Sequence, residues 1–163
     1  MIKFAAFRGR VTRINDFVTS DNETQGCIKF ISVENRNGDS VDFIVSPNTY
    51  IVDQAIISVG DTVTGYYDAN APVPLIYPPQ YHALVMVKEN QNRFVKVDYF
   101  DKNLVSSDGQ LKINPSPLTR ILLTNGQPFN GSLENRNLIV IYSISTRSIP
   151  AITTPIKIIV LCY

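Results

Sequence analysis

Apolar residues recur at every second position in this chain, and glycine or proline interrupts the pattern before a long helix could form. The segment FRGRVTRI places Phe7, Gly9 and Val11 on one face, with polar residues at the positions between them. Most other segments are equally short and rich in β-branched or aromatic residues, which is typical of strands. Eight glycines and ten prolines separate them. The sequence therefore predicts an all-β protein.

The connections between the predicted strands carry the chemistry of turns. Asn37-Gly38 lies between two strand candidates, which is the strongest short-range signal for a β-hairpin. We expect helical or 3-10 turns only around YIVDQAI and near PLTRIL. Parallel sheets usually need helical crossovers, and the sequence supplies none, so the sheets are expected to be antiparallel.

Composition describes a folded domain without a strong overall charge. The 163 residues carry a net charge of +1, which provides no general attraction to nucleic acid or membrane. Residues 1–92 hold seven Lys and Arg against ten Asp and Glu, whereas residues 93–163 hold eight against four. No apolar run has the length of a membrane helix, and no secretory leader is recognisable. We expect a cytoplasmic protein with no membrane partner.

Residues 45–87 and 113–161 share an order of features that predicts a tandem duplication. Pro47 and Thr49 in the first segment match Pro115 and Thr119 in the second. A strand ending in tyrosine follows in each segment. The motif Pro-x-Ile-x-x-Pro then appears at 74–79 and again at 150–155, and a closing strand comes after it.

The stretch APVPLIYPPQY, residues 71–81, contains four prolines and no charge. Proline fixes the backbone and cannot donate to a sheet, so we interpret the stretch mainly as a rigid lid that packs on the fold. Because Pro74 and Ile76 match Pro150 and Ile152, Ile76 is expected to point inward. Tyr77–Pro78 is a candidate cis peptide bond. The alternative is a binding loop in the first copy only.

The first half resembles the five-stranded OB-fold over roughly residues 5–88. The resemblance rests on an initial strand, the Asn37-Gly38 hairpin, the segment VGDTV before a fourth strand, and a long loop before the fifth. It implies an antiparallel barrel at 1–90, followed by a second, reduced copy at 91–163 packed against the first. The segment YYDANAPVPLIYPPQY also resembles uncharacterised proteins of spore-forming anaerobic bacteria, which implies no activity.

Catalytic and metal-binding signatures are missing from the sequence. His82 is the only histidine, and no G-x-S-x-G, phosphate-binding or dinucleotide-binding motif accompanies it. Cys27, which we expect to be buried, and Cys162 are far apart and form no cluster of zinc ligands. The sequence predicts no cofactor and no enzyme, with a hydrolase using His82 as a minor alternative.

We therefore expect a binding or assembly module whose partner is a protein or another polymer. Apolar residues on both faces of NLIVIYSI and IKIIVLCY need a covering surface, which is either the first domain or another chain, so we expect a protein partner or self-association. The OB-like loops suggest a candidate ligand face made of Tyr66, Tyr67, Asp68, Asn70, Tyr77 and Tyr81. The alternative is binding of single-stranded nucleic acid, with a basic face made of Arg8, Arg10, Arg13 and Lys29.

Overall fold

The computed structural model describes residues 1–17 and 26–163, and within these ranges the all-β prediction is confirmed. The chain divides into two compact units, Met1–Glu89 and Asn90–Tyr163. The first unit contains β1 (Phe4–Asp16), β2 (Lys29–Glu34), β3 (Ser40–Val45), β4 (Tyr50–Ile51), β5 (Thr62–Asp68), β6 (Gln80–His82) and β7 (Val85–Lys88). The second contains β8 (Phe94–Phe100), β9 (Leu111–Ile113), β10 (Arg120–Leu123), β11 (Arg136–Tyr142), β12 (Ala151–Thr153) and β13 (Lys157–Leu161).

A single 3-10 helix, Val52–Gln54, is assigned among the described residues, where the sequence predicted a turn. The second predicted helical turn, near PLTRIL, is wrong. Its residues form a turn stabilised by Ser116 and Thr119 and then enter β10. No helix in residues 1–17 and 26–163 is long and apolar enough to cross a membrane.

The seven strands of the first unit form one sheet in the order β4-β7-β5-β1-β2-β3-β6. The long strand β1 pairs antiparallel with β2 on one side and with β5 on the other. Its register against β2 shifts between Val11 and Arg13, as at a β-bulge. The β2–β3 hairpin is antiparallel, and its turn contains Gly38 at φ 82°, as the Asn-Gly signal predicted.

The prediction of purely antiparallel pairing is wrong at the edges of this sheet. β6 pairs parallel with β3, and β4 pairs parallel with β7. These parallel pairs span only three and two residues. The crossover between β3 and β6 contains strands, loops and the short 3-10 helix, but no α-helix. β7 also pairs antiparallel with β5, and only Ala83 and Leu84 separate it from β6.

The second unit has two smaller sheets, in the orders β10-β13-β11-β8 and β12-β9. Each of its pairings has a counterpart of the same direction in the first unit. Two antiparallel pairs correspond: β8–β11 matches β1–β5, and β11–β13 matches β5–β7. Two parallel pairs also correspond: β10–β13 matches β4–β7, and β9–β12 matches β3–β6. Isolated bridges through Val105 and Ser106 occupy the place that β2 takes in the first unit.

Hydrogen bonds fix which residues correspond. The Thr49 hydroxyl donates to the Ala83 carbonyl, and the Thr119 hydroxyl donates to the Pro155 carbonyl, each over 2.7 Å. Counting from these threonines, Pro47 corresponds to Pro117, so the predicted match with Pro115 is wrong.

Strand register corrects the second proline match as well. Asp42 and Lys112 correspond, since each lies seven residues before its threonine. Asp42 lies opposite Gln80 in the first unit, and Lys112 lies opposite Ile152 in the second, so Gln80 corresponds to Ile152. Pro150 therefore corresponds to Pro78 rather than to Pro74. The Tyr77–Pro78 and Ile149–Pro150 peptide bonds, which this register makes equivalent, are both cis.

Each unit has its own apolar core. The core of the first contains Phe43 and Met86, both fully buried, together with Val11, Ile31, Val33, Val41, Val63 and Ala83. The core of the second contains Phe100, Leu111, Ile113, Leu138, Val140, Ile158 and Val160. Residues on the other face of β11, Ile139 and Ile141, are also buried within the chain. Cys27 is exposed, contrary to the prediction, because it precedes β2 instead of lying within it.

Candidate binding surfaces

Three of the tyrosines predicted to bind a ligand belong to the body of the first unit. Tyr66 on β5 is buried. Tyr67 and Tyr81 are half-buried against the core, and their rings stack with centroids 3.8 Å apart and an interplanar angle of 6°. Burial, followed by the neighbouring Tyr81, raises the pKa of Tyr67 to about 12. These rings stabilise the fold, and one face of each is already occupied by its neighbour.

Asp68 and Asn70 organise the turn that ends β5. The Asp68 carboxylate accepts hydrogen bonds from the backbone N–H groups of Lys3 and Asn70, at 3.1 and 2.9 Å. The Asn70 side chain donates to the carbonyl of Met1 over 3.1 Å. Their polar atoms therefore anchor the start of the chain beside the turn, which is a structural use of both residues.

The proline-rich stretch between β5 and β6 is more exposed than the sequence suggested. Ile76 is 51% exposed, so the prediction that it points inward is wrong. Leu75 is fully exposed and Tyr77 is 74% exposed. Residues 71–77 are all exposed, and partial burial resumes at Pro78 and Pro79, just before β6. Ile152, from which the inward orientation was inferred, is itself 42% exposed, and its register match is Gln80. The structure thus separates Tyr77 from the buried Tyr66.

A second apolar surface lies at the corresponding end of the second unit. We call it the isoleucine surface. Two of its members, Ile144 and Ile149, are 80% and 83% exposed and belong to the loop that precedes β12. The name covers five exposed apolar side chains of the second unit, which are Leu118, Ile144, Ile149, Ile152 and Ile156. Phe94 and Tyr163 of this unit are also exposed and are not included.

Hydroxyl groups hold the loop of the isoleucine surface against β12. Thr146 donates its backbone N–H to the carbonyl of Ile152 and accepts the Ile152 N–H on its side chain, both at 2.9 Å. The Thr153 hydroxyl donates to the carbonyl of Ile144 over 2.5 Å. The Ser148 hydroxyl donates to the carbonyl of Pro150. The hydroxyls of Thr146 and Ser148 in this loop are thus used internally, while Ile144 and Ile149 are exposed.

Basic residues border the isoleucine surface. Lys112 lies directly opposite Ile152 in the parallel β9–β12 pair, so both side chains are on the same, exposed face. Arg120 is the first residue of β10, and its backbone N–H donates to the carbonyl of Ile156. Arg147 lies in the loop that precedes β12. All three cations are exposed. No salt bridge of theirs occurs within the described residues.

The predicted basic face is only partly assembled. Arg8 and Arg10 project from the outward face of β1 into an open groove of about 1150 Å³. Lys29 instead forms a salt bridge with Asp16 at the far end of β1. Arg13 lies beyond the bulge and does not line the groove.

Arg36, which sequence reasoning missed, is the third arginine of this groove. We call the feature the arginine groove. Arg36 lies in the β2–β3 turn, and only the register of β2 against β1 brings that turn beside Arg8 and Arg10. The complete lining is Arg8, Gly9, Arg10, Val11, Thr12, Glu34, Asn35, Arg36, Asn37, Val59 and Thr62.

His82 is exposed at the end of β6, and no hydrogen bond of its side chain to an acid or nucleophile is recorded within the described residues. No group of three or more His, Cys, Asp or Glu side chains arranged to hold a metal occurs in residues 1–17 and 26–163. A scan against protein-family models finds no match to this chain, and a search of curated proteins finds no significant match.

Proposed function

We propose that this chain is a non-enzymatic protein-binding module built from two OB-like barrels. The OB-fold is a five-stranded, partly open Greek-key barrel. In the first unit, β1, β2, β3 and β5 together with the bent β6–β7 segment supply five such strands. That segment pairs with β3 through β6 and with β5 through β7, which brings the two edges of the sheet together.

The two barrels derive from one ancestral unit by tandem duplication. Support comes from the order and direction of the strand pairs, which are the same in both units. The bridges of Val105 and Ser106 extend this likeness to the place of β2. A Ser-Pro-x-Thr turn at 46–49 and again at 116–119 adds a second, independent likeness. In both turns the threonine hydroxyl accepts a serine backbone N–H, at 3.1 and 3.0 Å, and donates across to the closing strand.

The isoleucine surface is the binding surface of the module. The observation that carries this proposal is the inverted polarity of its loop, in which hydroxyls bond internally and isoleucines are exposed. Exposed apolar side chains gathered in one place and rimmed by polar residues mark sites of protein interaction. Lys112, Arg120 and Arg147, which form no salt bridge within the described part of the chain, add positive charge. The complementary partner therefore presents apolar side chains bordered by carboxylates.

The proposal is tested with a fluorescein-labelled peptide of twelve residues in which leucine and serine alternate and a single glutamate lies at each end. Fluorescence anisotropy with the wild-type chain is expected to give saturable binding. The double variant Ile152→Ser/Ile156→Ser is expected to bind at least about tenfold more weakly, because each buried isoleucine contributes more than 1 kcal/mol.

Ile56→Ser/Leu75→Ser is the matched control, since both residues are highly exposed in the first unit and belong neither to the isoleucine surface nor to the arginine groove. Equal affinity of the double variant and the control would contradict the proposal. Urea unfolding of each variant should show that the second unit remains folded.

Single-stranded nucleic acid is a second candidate ligand, favoured only by Arg8 and Arg10 in the arginine groove. Sequence-independent binding of single strands combines a basic groove with aromatic side chains on which bases stack. The residues that line the groove include no aromatic side chain. An oligothymidine titration at physiological salt is expected to detect weak binding at most.

A further inference from the structure

Arg8 and Arg10 form a regularly spaced pair of cations on a rigid strand. They occupy alternate positions of β1, so their side chains leave the same face, and their Cα atoms are about 7 Å apart. Both residues are exposed. Neither these two guanidinium groups nor that of Arg36 has a salt bridge in the described ranges 1–17 and 26–163.

The walls of the arginine groove are held by the backbone and by turn side chains. The Asn35 side chain accepts the N–H groups of Asn37 and Asp39, both at 3.0 Å, which fixes the turn that carries Arg36. On the opposite side, the Gly60 N–H donates to the carbonyl of Val11 over 2.8 Å. The groove is therefore formed by ordered segments on both sides.

Gly9 lies between Arg8 and Arg10 on the opposite face of β1, and its lack of a side chain lets β1 and β2 approach closely. A Cβ atom at this position would lie 2.5 Å from the Glu34 carbonyl oxygen, so no larger residue fits without a shift of the backbone. Glu34 in turn lies directly opposite Arg10 in the β1–β2 register. The groove thus presents three cations and one carboxylate, together with the amides and hydroxyls of Asn37, Thr12 and Thr62.

We propose that the arginine groove binds an extended acidic peptide segment, with carboxylates of residues i and i+2 on Arg8 and Arg10. Alternate residues of an extended peptide are about 7 Å apart, which equals the spacing of the two arginines. The guanidinium fork matches the geometry of a carboxylate and can bind it through two parallel hydrogen bonds. Arg36 binds a third carboxylate or a backbone carbonyl.

The mixed charge of the groove favours a peptide over a nucleic acid. A peptide carries backbone N–H donors, which the Glu34 carboxylate and the Asn37 side-chain oxygen can accept. A phosphate backbone offers no such donors and would place negative charge against Glu34. The lining also provides no aromatic side chain on which bases could stack.

This site is independent of the isoleucine surface, since all its residues belong to the first unit. Its probe is therefore a peptide without apolar side chains, twelve residues of alternating glutamate and serine. Isothermal titration calorimetry at low ionic strength is expected to show binding to the full chain. Arg8→Gln/Arg10→Gln should weaken it by about tenfold or more, because hydrogen bonds to charged groups are lost. Affinity should also fall as salt is added.

The control is Lys3→Gln/Lys102→Gln, which removes the same charge from exposed positions outside the groove. It should leave the affinity within about twofold, and circular dichroism should show both double variants folded. The proposal is overturned if the wild-type chain does not bind the peptide, or if both double variants bind it equally. It is also overturned if oligothymidine binds more tightly than the peptide and with the same dependence on Arg8 and Arg10.

Discussion

The Thr49 hydroxyl donates a hydrogen bond to the carbonyl oxygen of Ala83 over 2.7 Å, at the point where β6 has ended and β7 has not begun. The bond joins two breaks, one between β3 and β4 and the other between β6 and β7. The second unit repeats it between Thr119 and Pro155. Both threonines are buried. Between β6 and β7 the backbone leaves the hydrogen-bonding pattern of the sheet. There the threonine hydroxyl supplies the donor for the Ala83 carbonyl.

Replacing Thr49 with valine should destabilise the first unit by about 1–3 kcal/mol, because the buried Ala83 carbonyl loses its donor. Urea unfolding measures the loss. Thr49→Ser keeps the hydroxyl and should lose less. If the valine and serine variants unfold at the same urea concentration, this hydrogen bond is not important for stability. Thr119→Val should behave like Thr49→Val.

Gly65→Ala should destabilise the first unit by about 1–3 kcal/mol through overpacking. A Cβ atom there would lie 2.4 Å from the ring of Phe43, which is fully buried. In the background of Phe43→Leu, which removes the ring, the same glycine substitution should cost less. Thermal unfolding of the four proteins of this double-mutant cycle measures the coupling, and simple additivity would contradict the proposed clash.

Alkaline pH should destabilise the protein partly through Tyr67. Its pKa is raised from 10.0 to about 12 by burial, followed by Tyr81, so the folded state retains the phenolic proton longer than the unfolded state does. The stabilisation is complete below pH 10 and is lost as pH rises from 10 to 12.

Tyr67→Phe tests this dependence, because phenylalanine has no proton to lose. Urea midpoints measured from pH 9 to pH 12 should fall less steeply in the variant than in the wild type. Parallel slopes would show that Tyr67 titrates normally.

Polar substitution of the proline-rich loop should leave stability nearly unchanged. Leu75→Ser and Tyr77→Ser remove exposed side chains, and surface changes of this kind usually stay within about 0.5 kcal/mol. Val85→Ala, at a fully buried position of β7, serves as the destabilising reference in the same urea experiment. A large loss for Leu75→Ser would show that the loop packs on the fold in solution.

Local sequence patterns predicted the strands. Most of the wrong predictions concerned features that depend on the register between strands that are far apart in the sequence. Alternation placed Phe7 and Val11 inward and Arg8 and Arg10 outward, as observed. The proline match failed because prolines were aligned without the strand pairing that sets Pro78 beside Pro150. The inward prediction for Ile76 rested on that match. Arg36 was missed because the hairpin that carries it reaches Arg8 only through pairing of β2 with β1.

The exposed loop between β5 and β6 connects two segments of the first unit. These segments are also held together by the backbone hydrogen bonds of the sheet. Residues 80–88 form hydrogen-bonded pairs with β3, β4 and β5, all of which precede the loop. A peptide bond cut within residues 71–77 would therefore leave every strand pair intact. The loop is thus a natural position for splitting the chain into complementing fragments, or for new termini in a circular permutation.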